Sequence, residues 1–195
     1  MIHNPKMECM SREDMRKIQS ERLQKTVKNC YENVPFYKKK MDEIGVKPED
    51  IKSIDDIVKL PFTTKHDLRD EYPFGLQAVP QNEIRRIHAS SGTTGKPVVG
   101  TYTENDLKMW AECVARVLAV GDVGPGDIVQ VAYGYGLFTG GLGVHDGAAF
   151  RGAVQLPISA GNSEKQIMLM KDFGTTTLCC TPSYALHLAE IIEKN

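Results

Sequence analysis

Apolar residues recur at helical spacing through the first third of the chain. Met15, Ile18, Leu23, Val27, Cys30 and Tyr31 follow Ser11 and Asp14, a pair spaced as a capping box. Pro35 resets the chain, and a second short helix is predicted to run to Gly45, where glycine supplies the stop. Ser53 is placed to cap a short turn ending before Pro61, and Thr64 with Asp67 to open a helix over residues 65–71. Short charged helices broken by Pro and Gly predict a small helical cap over residues 1–82.

The pattern changes at Glu83. Residues 83–88 and 98–102 read as strands, with a run of small polar residues between them. Thr103 with Asp106 then opens a helix carrying Leu107, Trp110, Val114, Val117 and Leu118, which Gly121 ends. Further on, strands are predicted at 127–133, 153–157 and 175–179. Helices are predicted at 142–150, at 164–173 with Ser163 as cap, and after Thr181, with Pro182 at the first helical position. This alternation predicts an α/β fold, a helical segment followed by a mainly parallel sheet with right-handed crossovers. Residues 83–195 are expected to form a nucleotide-binding subdomain. The last helix still has apolar residues to bury, and no strand follows it. This is the expectation for a fragment, or for a chain that pairs with itself or with a partner.

Composition narrows the functional classes. The chain has 195 residues, 41% hydrophobic and 25% charged, enough to bury a core without cross-links. Its 24 basic and 25 acidic residues leave a formal net charge of −1. No global field draws it to nucleic acid or an anionic membrane, so any bound anion must be held by local geometry. The five cysteines are odd in number and form no C-x-x-C pair, which predicts reduced thiols in a cytoplasmic protein. The first ten residues are polar, and no apolar stretch reaches the length of a membrane span.

The run Ser90-Ser91-Gly92-Thr93-Thr94-Gly95-Lys96-Pro97 carries the chemistry. Gly92 and Gly95 permit positive φ and let backbone N–H groups approach an anion. The hydroxyls of Ser90, Ser91, Thr93 and Thr94 can donate to phosphate oxygens, and Lys96 adds a compact positive charge. Ordinary surface turns use the same residue types. Here the whole run fits, directly after an apolar strand, which favours a polyphosphate. It is not a Walker A sequence, because two residues separate the glycines and proline follows the lysine.

The run resembles the phosphate-binding loop of adenylate-forming enzymes, the superfamily of acyl–coenzyme A ligases, luciferases and peptide synthetase adenylation domains. Further blocks are similar to the phenylacetate–coenzyme A ligase group: Leu60-Pro61-Phe62-Thr63-Thr64-Lys65, Asp67-Leu68-Arg69-Asp70 and Tyr72-Pro73-Phe74-Gly75. So are Gly134-Tyr135-Gly136-Leu137-Phe138-Thr139-Gly140-Gly141 and Met168-Leu169-Met170-Lys171-Asp172-Phe173-Gly174. The resemblance runs from the first helix to the end of the chain and implies the N-terminal portion of such an enzyme.

The segment 134–143 also invites a dinucleotide reading, since it lies between a strand and a helix. That fingerprint needs glycine where Thr139 stands. The resemblance instead implies that this segment borders an acyl pocket, with Tyr135 and Phe138 as flat apolar walls. Gly140, Gly141 and Gly143 would then admit substrate or neighbouring backbone. Phe138 has an equal claim to be core. Lys65 is a candidate phosphate contact on the resemblance, and on its position alone a solvated lysine. His88 and His145 pair with nothing as a triad and read as structural, and Trp110 reads as core. Asp146 stands where an aromatic residue is expected in the group.

What the resemblance implies is a two-step ligase of aromatic-compound catabolism. A carboxylate, phenylacetate or another aryl acid, attacks the α-phosphate of ATP and releases pyrophosphate. The thiol of coenzyme A then displaces AMP from the acyl adenylate. ATP, Mg²⁺ and coenzyme A are the implied cofactors. No residue of this chain is singled out as catalytic, and none as a metal ligand. The family's later elements, including its ribose-binding Asp and its lid lysine, are missing, which implies activity only with a second polypeptide or none alone. Two alternatives stay open: an adenylating enzyme serving another acceptor, and a non-catalytic nucleotide-binding domain of the same fold.

Overall fold

The computed structural model describes residues 1–92 and 95–194. It divides into two compact units, Pro5–Glu104 and Met1–Asn4 with Asn105–Asn195.

In the first unit, a short turn of helix α1 (Pro5–Glu8) precedes α2 (Arg12–Asn33). Ser11 caps α2, its side chain accepting from the Asp14 N–H at 3.0 Å. Pro35 opens α3 (Pro35–Glu43), and Gly45 follows it at a φ of 70°. A 3₁₀ turn over Ile54–Lys59 carries a capping box of Ser53 and Asp56, and α4 (Lys65–Asp70) carries one of Thr64 and Asp67. The helices close on Val27, Met41 and Ile51, with Leu23, Tyr31, Val46 and Leu60 packed around them. Strands β1 (Ile84–Ala89) and β2 (Val99–Thr103) then pair antiparallel, with an irregularity between Ile84 and Arg86.

The second unit is a three-stranded parallel sheet in the order β4-β3-β5, where β3 is Ile128–Val131, β4 Val154–Leu156 and β5 Thr177–Cys179. Helix α5 (Glu104–Val120) precedes β3, α6 (Gly140–Arg151) links β3 to β4, α7 (Ser163–Phe173) links β4 to β5, and α8 (Pro182–Lys194) follows. The central strand is buried on both faces, as parallel strands are. Val129 and Val131 are fully buried and face Val114 and Leu118 of α5 and Ala148 of α6. Burying such a side chain contributes about 1.5–3 kcal/mol. On the other face, Gln130 meets Gln166 of α7.

Glycines let α6 come close to its neighbours. A Cβ on Gly143 would lie 2.6 Å from the Trp110 indole, and one on Gly147 2.4 Å from Val114. The α/β class and the parallel sheet match expectation. One cap does not: Asn162, at a φ of 51°, caps α7 by accepting from the Lys165 N–H, and Ser163 is the first helical residue. Asn tolerates the left-handed region better than Ser, and the Ser163 hydroxyl instead meets the Tyr184 hydroxyl at 3.1 Å.

Candidate functional site

The glycine-rich run is the loop of the β1–β2 hairpin. The Ser90 N–H donates to the Val98 carbonyl at 2.9 Å, and the Val98 N–H donates to Ser90 Oγ at 2.9 Å. Ser90 therefore ties the base of the loop and keeps its own O–H to donate. Gly92 and Gly95 have φ of 67° and 128°, and the Gly95 N–H donates to the Gly92 carbonyl at 3.0 Å. A Cβ on Gly92 would lie 3.0 Å from the Gly95 oxygen, a tight approach, whereas one on Gly95 would meet nothing within 4 Å. Ser91 and Lys96 are exposed. The Lys96 ammonium lies 5.5 Å from the centre of the Tyr72 ring, within cation–π range. Thr93 and Thr94 lie outside the described residues.

Lys65 is exposed at the first position of α4. The segment before it is held by Asp67, which accepts from the Thr64 N–H at 2.7 Å, the Thr64 hydroxyl at 2.9 Å and Lys40 Nζ at 3.0 Å. The Thr64 backbone N–H and then the Lys40 ammonium lower the Asp67 pKa to about 2. In the turn after α4, a Cβ on Gly75 would strike Glu71, so glycine lets the chain fold back and present Tyr72.

In the sheet unit, the acyl-pocket candidates fall into two groups. Tyr135 is half-buried, its ring edge-on to His145 with centroids 6.0 Å apart and its hydroxyl 3.4 Å from His145 Nδ1. Burial, then the nearby charge of Asp146, raises the Tyr135 pKa. Phe138 is 70% exposed and does not serve as core. Gly140 and Gly141 form the first turn of α6, not a free loop. Gly141 is packed, since its Cβ would sit 2.9 Å from the Gly134 oxygen, whereas Gly134, Gly136 and Gly140 would each meet nothing within 4 Å.

The strand order adds a feature that residue types alone do not reveal. Crossovers leave β3 for β4 on one side and return to β5 on the other. The crevice beyond the carboxyl ends of β3 and β5 is therefore a topological switch point, where α/β folds bind ligands. A cavity of about 460 Å³ occupies it. Tyr133 and Gly134 line it after β3, Ala160 and Gly161 after β4, and Thr181, Ser183, Tyr184 and His187 at the start of α8. Tyr133 is fixed by donating its hydroxyl to the Cys180 carbonyl at 2.8 Å. Tyr135 adjoins the same rim, its N–H reaching Ser159 Oγ at 3.5 Å. The sequence signal for the α8 residues was Thr181-Pro182 directly after a strand. His187 had no signal, because more than one turn of helix separates it from that cap. Among the described residues, no three His, Cys, Asp or Glu side chains gather as metal ligands. Among the described residues, no helix is long and apolar enough to cross a membrane.

A phenylacetate-coenzyme A ligase of Thermus thermophilus is 53% identical over 194 residues, taking in 100% of this chain and 44% of the relative. This chain is a relative of one part of the phenylacetate–coenzyme A ligases. The Escherichia coli ligase of that name is 50% identical over 197 residues, 45% of its own length. The chain thus spans less than half the length of these relatives. No family model matches it. The fold agrees with 2-hydroxyisobutyryl-CoA ligase, crystallised in an open conformation with 2-HIB-AMP and CoA. The TM-score is 0.89 at 32% identity, covering 97% of this chain and 46% of that one. A second crystal structure of that enzyme, in its thioesterification state, gives a TM-score of 0.90 at 33% identity.

Proposed function

We propose that this chain carries the phosphate loop and part of the acyl pocket of an ATP-dependent aryl acid–coenzyme A ligase, phenylacetate being the favoured acid. The observation that carries this reading is the 53% identity with a phenylacetate-coenzyme A ligase across the entire chain. The hairpin loop supports it physically. The positive φ at Gly92 and Gly95 and the exposed side chains of Ser91 and Lys96 suit the loop to the β- and γ-phosphates of ATP. Thr93, Thr94 and Lys65 are assigned to the same role.

In the first half-reaction, a carboxylate oxygen bonds to the α-phosphorus while the bond to pyrophosphate breaks. ATP enters as its Mg²⁺ complex. Protein groups act here by position and charge, with no covalent step required of them. In the second, the coenzyme A sulfur bonds to the acyl carbon and AMP leaves. Tyr135 and Phe138 are assigned to the aryl ring. The glycines that leave space, Gly134 and Gly140, face substrate in this reading, and Gly141 packs the wall behind it.

Carboxylate-dependent ATP–pyrophosphate exchange on the 195-residue chain tests the proposal. Phenylacetate-stimulated exchange is expected if the first half-reaction is complete here. Bound ATP without exchange would restrict this chain to nucleotide binding. Lys96→Ala is expected to weaken ATP binding by about tenfold to a hundredfold, the value of one charge-assisted hydrogen bond. AMP binding should change far less, and equal losses for both nucleotides would remove the loop from the outer phosphates.

A further inference from the structure

The sheet unit buries two glutamines where apolar residues would cost less. Gln130 on β3 and Gln166 on α7 are both 0% exposed. Buried amides persist when every polar atom is bonded, and here they are. Gln130 Nε2 donates to Gln166 Oε1 at 2.6 Å and to the Gln166 carbonyl at 3.2 Å. Gln130 Oε1 accepts from the Thr175 hydroxyl at 2.9 Å. Gln166 Nε2 donates to the carbonyls of Ser159 at 2.7 Å and Gly161 at 3.3 Å.

Those two carbonyls belong to a strained turn. Ser159, Gly161 and Asn162 have φ of 69°, 87° and 51°, and serine rarely adopts that region. The turn forms one wall of the switch-point crevice through Ala160 and Gly161. Ser159 Oγ faces the Tyr135 N–H. A buried polar pair on one face of the sheet thus holds a strained wall at its carboxyl end.

We propose that Gln130 and Gln166 are positioning residues for the aryl-acid site: they hold the 159–162 turn in its left-handed shape, and that turn sets the place of Tyr135. The inference rests on the acyl-pocket reading above. It is distinct from core filling, because the hydrogen bonds end on the carbonyls of residues whose conformation needs support.

The test is a phenylacetate titration of the 195-residue chain, followed at the Tyr135 backbone amide by NMR, with thermal melts to confirm folding. Gln166→Leu keeps the bulk and removes the donors, and is expected to raise the phenylacetate Kd about tenfold or more. The Tyr135 amide resonance of the unliganded Gln166→Leu chain should also shift, because the turn that meets its N–H has lost its support. Thr175→Val removes the far hydrogen bond and should weaken binding in the same direction, which keeps the test decisive if Gln166→Leu does not fold. A folded Gln166→Leu chain, or a Thr175→Val chain, that binds phenylacetate like the parent overturns the inference alone. So does a loss of binding that leaves the Tyr135 amide resonance of the unliganded chain unmoved, because Gln166 would then be packing material. No phenylacetate response in the parent chain overturns the acyl-pocket reading and this inference with it.

Discussion

The two units of this chain are held together by different means. In Pro5–Glu104, three helix starts carry side-chain caps, Ser11 for α2, Ser53 with Asp56 for the 3₁₀ turn and Thr64 with Asp67 for α4, while α3 starts on Pro35 without one. Ion pairs between near neighbours run along its surface, as in Lys38–Asp42 at 2.9 Å and Lys59–Asp56 at 2.8 Å. Its core is small, and an apolar hollow of about 140 Å³ lies against Val27 and Met41. In Asn105–Asn195 the stabilising contacts are remote in sequence. Val129 and Val131 pack on helices from both sides of them in the chain, Gln130 reaches Gln166, and Gly147 takes Val114 against its backbone. A local cap or surface ion pair can be lost with little effect elsewhere, whereas close packing transmits each change to its neighbours.

The largest expected effects come from the two cores. Ile51→Ala in the helical unit and Leu188→Ala on α8 each remove a side chain that is 2% exposed, and each should cost about 2–5 kcal/mol. Hydrogen exchange should show Ile51→Ala losing protection mainly within Pro5–Glu104. Equal loss in both units would break the distinction between them.

Gly147→Ala sharpens the contrast. Alanine in mid-helix should gain about 1 kcal/mol in propensity. Here its Cβ would sit 2.4 Å from Val114, so a net loss of about 1–3 kcal/mol is expected in denaturant melts. A stabilised variant would mean that α6 and α5 can separate freely.

The caps should matter less. Ser53→Ala and Thr64→Ala are each expected to cost about 1 kcal/mol, additively, since their boxes share no residue. A larger combined loss would reveal long-range coupling in the unit described as local.

The smallest effect is on pH. The Lys59 ammonium and the N–H groups of Lys52 and Ser53 lower the Asp56 pKa to about 2, and Asp67 stands at about 2 as well. A depressed carboxylate contributes stability above its unfolded pKa, near 3.9. That contribution is lost as pH falls through the folded value. Protection in the helical unit should therefore decline between about pH 4 and pH 2. Both carboxylates keep contact with solvent, at 19% and 21% exposure, so the decline is expected to be shallow and to weaken further in salt.

Much of the fold was legible in the chain itself, where the physics is local. Capping boxes, proline at helix starts, β-branched strands and the alternation of period marked nearly every element, because each signal lies within a few residues. The glycine loop was legible as well: positive φ at Gly92 and Gly95 is a demand that residue type announces. The cap of α7 was misplaced by one residue. Ser163 and Asn162 both suit a cap, and the choice depended on the left-handed turn before them, which the buried Gln166 holds from below.

The sequence by itself determined where most helices and strands lie, to within a residue or two, and that the larger sheet is parallel, and it singled out the loop proposed to hold a polyphosphate. Tertiary structure alone decided the strand order, and with it the switch-point crevice and the place of Tyr184 and His187 on its rim. It also separated glycines that admit helix packing, such as Gly143 and Gly147, from those that leave space, such as Gly134 and Gly140. It showed that the polar residue in the apolar run Ile128–Val131 is one end of a hydrogen-bonded pair 36 residues apart. Capping and turn energies depend on neighbours in the chain, so the local order of residues reveals them. Packing, and the satisfaction of buried polar groups, depend on which residues the fold brings together, and no local pattern records that.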